Sequence, residues 1–164
     1  MKKAVVIYGS TTGTCSGIAE SIASKLGVEV IEVSSMTTET IAEYEALILG
    51  TSTWGAGELQ DDWYDGVELL KGADLSSKTV ALFGCGDSSS YCDTFCDGMG
   101  IIYEAAKGAG ATLVGSVSVD GYSFDESVAV VDGMFVGLAL DNDNEDDKTE
   151  GRIDAWIDSI KTAL

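Results

Sequence analysis

No histidine and no proline occur among the 164 residues, and only 9 are basic. Without histidine the commonest general base is missing, and Ser-His-Asp chemistry is excluded with it. The four cysteines, Cys15, Cys85, Cys92 and Cys96, form no CxxC pair, so neither a zinc nor an iron–sulfur site is indicated. They read as free thiols of a cytosolic protein, with Cys92 and Cys96 four apart on one expected helical face. Acidic residues number 28, for a net charge of −19. Nucleic acid is a poor partner for such a chain, and an acidic membrane surface would repel it. No apolar run is long enough to span a bilayer. The start, "MKKAVVIYGS", has no small-residue cleavage site and reads as a first strand rather than a signal peptide. The expectation is a single cytoplasmic domain over 1–164. Its acidity serves either solubility and salt adaptation or steering toward a basic protein.

What is present is an alternation of short apolar runs with helical patterns. "KAVVIY" (3–8), "VEVIEV" (28–33), "ALILG" (46–50) and "TVALFG" (79–84) read as strands, and "TLVGSVSV" (112–119) starts a fifth. Helices are predicted over 14–26, shortly after Thr38, over 60–71, over 94–107 and over 149–163. Ile18, Ala19, Ile22, Ala23 and Leu26 face inward on the first, Trp63, Val67 and Leu70 on the third, and Ile153, Trp156, Ile157 and Ile160 on the last. Trp63, Trp156 and Tyr103 are assigned to the core. The pattern implies an α/β fold, a doubly wound parallel sheet with helices on both faces. Ligands of such sheets sit at the C-terminal strand edge, where the strand order reverses. The stretch 120–146 interrupts the last connection. Its first part suits a short apolar hairpin docked on the sheet edge, and its acid run, "DNDNEDD", reads as a solvated loop before the last helix.

Three loops leave that edge. The first, "GSTTGTCS" (9–16), is seven parts Gly, Ser or Thr in eight and contains no lysine. Ahead of a helix N-terminus it is a phosphate cradle of neutral donors, or else an N-cap with a flexible turn. It is neither a Walker loop nor GxGxxG. "TSTWGAGELQDDW" (51–63) and "CGDSSSYCDTFCD" (85–97) each set one aromatic, Trp54 or Tyr91, among small polar residues. Two aromatics flanking a phosphate cradle suit a flat heteroaromatic ring, and a mononucleotide such as FMN fits both features.

From residue 3 onward the chain resembles the long-chain flavodoxins. "STTGT" is similar to their phosphate loop, "TSTWGAGELQDDW" and "GCGDSSSYCDTF" to their two flavin loops, and "DGYSFDES" with "GMFVGLALDNDN" to the insertion that splits their fifth strand. The resemblance implies a five-stranded sheet of order 2-1-3-4-5. It implies that Ser10, Thr11, Thr12, Gly13, Thr14 and Cys15 wrap the phosphate of FMN, with Trp54 on one flavin face and Tyr91 on the other. Thr51, Ser52, Thr53, Gly55 and Ala56, with Cys85, Gly86 and Asp87, would supply backbone contacts, and Asp93 and Asp97 would lie near the ring or the ribityl chain. Many relatives have Thr for Cys15, Asn for Gly55 and Pro ahead of the stacking Trp; this chain departs at all three. The implied function is a low-potential one-electron carrier, not an enzyme, cycling between semiquinone and hydroquinone and standing in for ferredoxin. Its implied partners are the basic docking surfaces of ferredoxin-NADP reductase or photosystem I. The alternative is a quinone or flavin reductase of the same fold.

No Lys or Arg occurs between Lys25 and Lys71 or between Lys78 and Lys107, and both proposed flavin loops lie in those gaps with Glu58, Asp61, Asp62, Asp87, Asp93 and Asp97. Such neighbours oppose an anionic reduced flavin and would lower its second potential by about a hundred millivolts. Most lysines map to strand starts or helix ends, opposite this edge, where they give the molecule a dipole or simply complement the helices.

Overall fold

A computed structural model describes residues 3–9, 14–54, 58–59, 61–86, 89 and 93–163. Along the chain come β1 (Ala4–Gly9), α1 (Thr14–Leu26), β2 (Glu29–Glu32), a 3-10 turn at Val33–Ser35, α2 (Thr38–Glu43), β3 (Ala46–Trp54) and β4 (Glu58–Leu59). Then follow α3 (Trp63–Gly72), β5 (Thr79–Cys85), α4 (Asp97–Gly108), β6 (Thr112–Val114) and β7 (Val117–Ser118). The last elements are β8 (Val130–Val131), β9 (Met134–Phe135), β10 (Leu138–Leu140) and α5 (Asn142–Ile160).

The main sheet runs β10-β5-β3-β1-β2, all parallel. β6 pairs with the first half of β5, Thr79–Ala81, and β10 with its second half, Phe83–Cys85. β6 and β10 are therefore two halves of one fifth strand, and the order 2-1-3-4-5 holds with that strand split. Residues 115–137 lie between the halves and build a small antiparallel sheet, β7-β9-β8. The expected hairpin is its β8–β9 pair, whose turn places Asp132 at φ 54° and Gly133 at φ 79°. Two successive positive φ angles give the turn the twist that a two-residue hairpin needs, and Asp-Gly tolerates them.

β1, β3 and β5 read as unbroken apolar runs because both faces are covered. Val6, Ile48, Ala81 and Phe83 pack under α1 and α5, against Ile18, Ile22, Trp156 and Ile160. Val5, Leu47, Leu49 and Leu82 face Ile41, Trp63, Val67, Leu70, Met99 and Ile102 from α2, α3 and α4. Trp63 and Trp156 are in the core as expected, their indole N–H groups donating at 2.8 Å to the carbonyls of Gly50 and Gly115. Tyr103 is half-buried, with the Lys107 ammonium over its ring.

Two expectations need correction. The acid run is not a loop: 142–147 lies within α5, which kinks at Glu145 (φ −132°, ψ 40°). Acidic residues are favourable at a helix N-terminus, and Glu145 is tied to Lys148 Nζ at 2.6 Å and to Arg152 Nη2 at 3.0 Å. Nor does Cys96 lie on a helix: α4 starts only at Asp97, and Cys96 precedes it in a left-handed conformation, φ 55°. Cys92 lies outside the described residues.

Candidate functional site

At the C-terminal edge the ladder brings small residues into register. Gly9 is opposite Thr51, Thr51 opposite Gly84, and Ser52 opposite Cys85. β1 lies between β2 and β3, so the strand order reverses beside this row, the position at which doubly wound sheets bind their ligands. α1 begins above β1 with no acidic residue in its first turn. By contrast α2, α3 and α4 carry Glu39, Asp65 and Asp97 there. In a chain of 28 acidic residues, the positive end of α1 is thus left uncompensated by its own first turn.

Ser10, Thr11, Thr12 and Gly13 lie outside the described residues, as do Gly55, Ala56, Asp87 and Tyr91. Cys15 stands in the first turn of α1, but its thiol is fully buried beneath that helix, in one cluster with Ile18, Phe83 and Cys85. The neighbouring Cys85 thiol and burial push Cys15 well above the usual thiol range, so it stays protonated. With the thiol buried, only the Cys15 backbone N–H is left for a ligand at the start of α1.

The second loop is a hairpin that the sequence reading did not foresee: Thr53 and Trp54 pair antiparallel with Leu59 and Glu58. The Gly-Ala-Gly between the pairs is the sequence feature that marks such a turn. Thr51 is buried and donates through Oγ1 to the Ser52 carbonyl at 2.9 Å. Thr53 Oγ1 accepts the Gly98 N–H at 2.9 Å, which seats the start of α4 on the end of β3. Gly98 is needed for that approach, since a Cβ there would meet the Ser52 carbonyl oxygen at 2.9 Å.

Of the third loop, Cys85 is buried at the end of β5, and the Gly86 N–H is taken by the Leu140 carbonyl at 2.9 Å. That N–H is thereby committed within the fold. Asp93 is exposed, whereas Asp97 is buried. Asp97 Oδ1 accepts the Val128 N–H at 2.8 Å. Burial raises the Asp97 carboxyl above its ordinary value, and the bond from the Val128 N–H, together with the nearby Ser127 hydroxyl, offsets this only in part. The structure thus turns Asp97 toward the 115–137 insertion, a role invisible to periodicity because its partners are some thirty residues away.

Four lysines lie at helix ends, as the sequence suggested. Lys25, Lys71 and Lys107 occupy the last turns of α1, α3 and α4, and Lys161 caps α5. Asp61 and Asp62 are exposed just ahead of α3. Lys148 and Arg152 of α5 both pair with Glu145, whose carboxyl is held below its usual range, first by Lys148. Among the described residues no group of His, Cys, Asp and Glu side chains could hold a metal ion, and no helix is long and apolar enough to cross a membrane.

Residues 6–156 match the family described as Flavodoxin. The chain is 42% identical to a flavodoxin of Synechocystis, covering 100% of this chain and 99% of that one. It is likewise 42% identical to flavodoxin 1 of Azotobacter vinelandii, over 96% and 94% of the two chains. Among solved structures, Fusobacterium nucleatum flavodoxin bound to flavin mononucleotide superposes with a TM-score of 0.94 at 33% identity, over 100% of this chain and 99% of that one.

Proposed function

The chain belongs to the flavodoxin family, and on that premise we propose that it carries single electrons on a non-covalently held FMN seated where β1, β3 and β5 end. The observation that carries this seat is the uncompensated N-terminus of α1 beside the Gly9–Thr51–Gly84 row, where an anion meets helix N–H groups and no carboxylate of that turn. When bound, FMN supplies the redox chemistry, a ring system able to take up and return one electron at a time.

The chain's own residues bind and orient that group. Ser10, Thr11, Thr12, Gly13 and Thr14 hold the phosphate with neutral donors, and Cys15 joins them through its backbone. Trp54 and Tyr91 cover the two ring faces, exclude water and leave no room for a second substrate. Thr51, Ser52, Thr53, Gly55 and Ala56, with Cys85 and Asp87, line the ribityl chain and the ring edge. Gly86 contributes through its carbonyl, because its N–H is engaged. Gly55 has few steric barriers to rotation, so its carbonyl can turn to accept a proton-bearing nitrogen. The exposed Asp61 and Asp62, with no cation nearby in sequence, disfavour added negative charge and set a low potential.

The carrier is a cytoplasmic monomer whose acidic edge docks on basic surfaces of redox proteins such as ferredoxin-NADP reductase or photosystem I, in place of ferredoxin. A spectroelectrochemical titration of the FMN-loaded protein tests the reading. Two separated one-electron steps, the second very low, are expected. A single two-electron step would replace the carrier with a flavin-dependent reductase.

A further inference from the structure

Three consecutive residues of the insertion, Glu126, Ser127 and Val128, grip the start of α4. The Phe95 N–H donates to the Glu126 carbonyl at 3.3 Å, Ser127 Oγ donates to the Phe95 carbonyl, and the Val128 N–H donates to Asp97 Oδ1 at 2.8 Å. The Ser127 hydroxyl is itself oriented by the Ala129 N–H at 3.1 Å. There is no slack behind this grip: a Cβ on Gly100 would stand 2.7 Å from the Val128 carbonyl. The Phe95 ring is buried among Tyr122, Phe124 and Phe135 of the same insertion, with centroids 5.6 to 6.2 Å away. From Asp97 the connection passes to its neighbour Gly98, whose N–H is held by Thr53 Oγ1 at 2.9 Å, one residue before Trp54. A continuous set of bonds therefore runs from the insertion, through the start of α4, to the end of β3.

We propose that Ser127 is a positioning residue of the cofactor site, fixing through Phe95 and the start of α4 the strand end at Thr53 and Trp54. The proposal rests on the FMN reading above. The Phe95 carbonyl belongs to a residue only 1% exposed, so without the serine hydroxyl it loses a partner that water cannot readily replace. The strain falls on the segment 93–98, and the Gly98–Thr53 bond passes it to β3. The insertion thereby acts on cofactor affinity from outside the cofactor's own contacts.

The test is titration of the apoprotein with FMN, followed by flavin fluorescence quenching, at a temperature where every variant retains its near-UV circular dichroism. Ser127→Ala is expected to raise the Kd for FMN about tenfold, the consequence of one unsatisfied buried carbonyl. Ser127→Thr, which keeps the hydroxyl, is expected to restore binding, and Ser127→Cys, a weaker donor, to give an intermediate value. Val131→Ala, in β8 away from the grip, is expected to lower the melting temperature and leave the Kd unchanged. A folded Ser127→Ala protein binding FMN as tightly as the parent would overturn the proposal. Failure of the parent protein itself to bind FMN would instead overturn the reading beneath it.

Discussion

Oδ1 of Asp97, in the first turn of α4, accepts the backbone N–H of Val128, 31 residues further along the chain, at 2.8 Å. This bond ties the insertion to the helix that closes the third loop. It holds a carboxylate in a place where burial disfavours its charge.

Asp97→Asn keeps an acceptor oxygen for Val128 and removes that charge. Because burial raises the carboxyl in the folded state, the native protein binds more protons at Asp97 than the unfolded chain does. The stability this group contributes therefore grows as pH falls through its raised pKa and is lost as pH rises above it. The apoprotein of Asp97→Asn should melt above the parent at neutral pH, with the gap closing on acidification. Thermal melts by circular dichroism across that range check both the sign and the window.

Glu145 makes the opposite prediction. Lys148 and Arg152 hold its carboxyl below the ordinary range, so its contribution is present above the unfolded value and is lost as pH falls through the lowered one. Glu145→Gln should lower the melting temperature by a few degrees at neutral pH and make little difference in strong acid. An unchanged melting temperature at neutral pH would mean that the ion pairs add nothing net.

Gly50 faces Phe83 across the β3–β5 ladder, and a Cβ there would lie 2.0 Å from the ring. The ring stacks over a position that must stay empty. Gly50→Ala should destabilise the apoprotein by about 2–3 kcal/mol, and Phe83→Leu in the same chain should recover part of the loss. Urea unfolding midpoints measure both.

Neutralising Glu58, Asp61, Asp62 and Asp87 together as amides should raise the second one-electron potential by about a hundred millivolts, since each 1.4 kcal/mol corresponds to about 59 mV for one electron. No rise would remove these carboxylates from the control of potential. The same variant should also associate with a basic partner more slowly at low salt, a difference that salt erases.

Much of the architecture is written in local periodicity. The spacing of Ile18, Ile22 and Leu26 marks α1 over the very residues observed, and the unbroken apolar runs mark β1, β3 and β5 as strands covered on both faces. The lysine-free gaps and the lysines at helix ends follow from counting alone, because a parallel sheet with crossover helices leaves strand starts and helix ends little choice of edge. The three loops of the candidate site are legible as composition: glycines and hydroxyls ahead of helix starts, with Trp54 in the second and Tyr91 in the third.

Other features depended on groups distant in sequence. The Cys15 thiol reads as part of a polar loop, yet α1 turns it onto Phe83 and Cys85 in the core. The acid run reads as solvated loop, yet Glu145 joins α5 by pairing with Lys148 and Arg152. Asp97 reads as one more carboxylate of an acidic loop, and the fold gives it the distant partner Val128. Local sequence determined which segments become strands and helices, because backbone periodicity and burial are counted within a few residues. Only the tertiary structure decided which way Cys15, Glu145 and Asp97 point, because a buried polar group must find its partner wherever the fold delivers one.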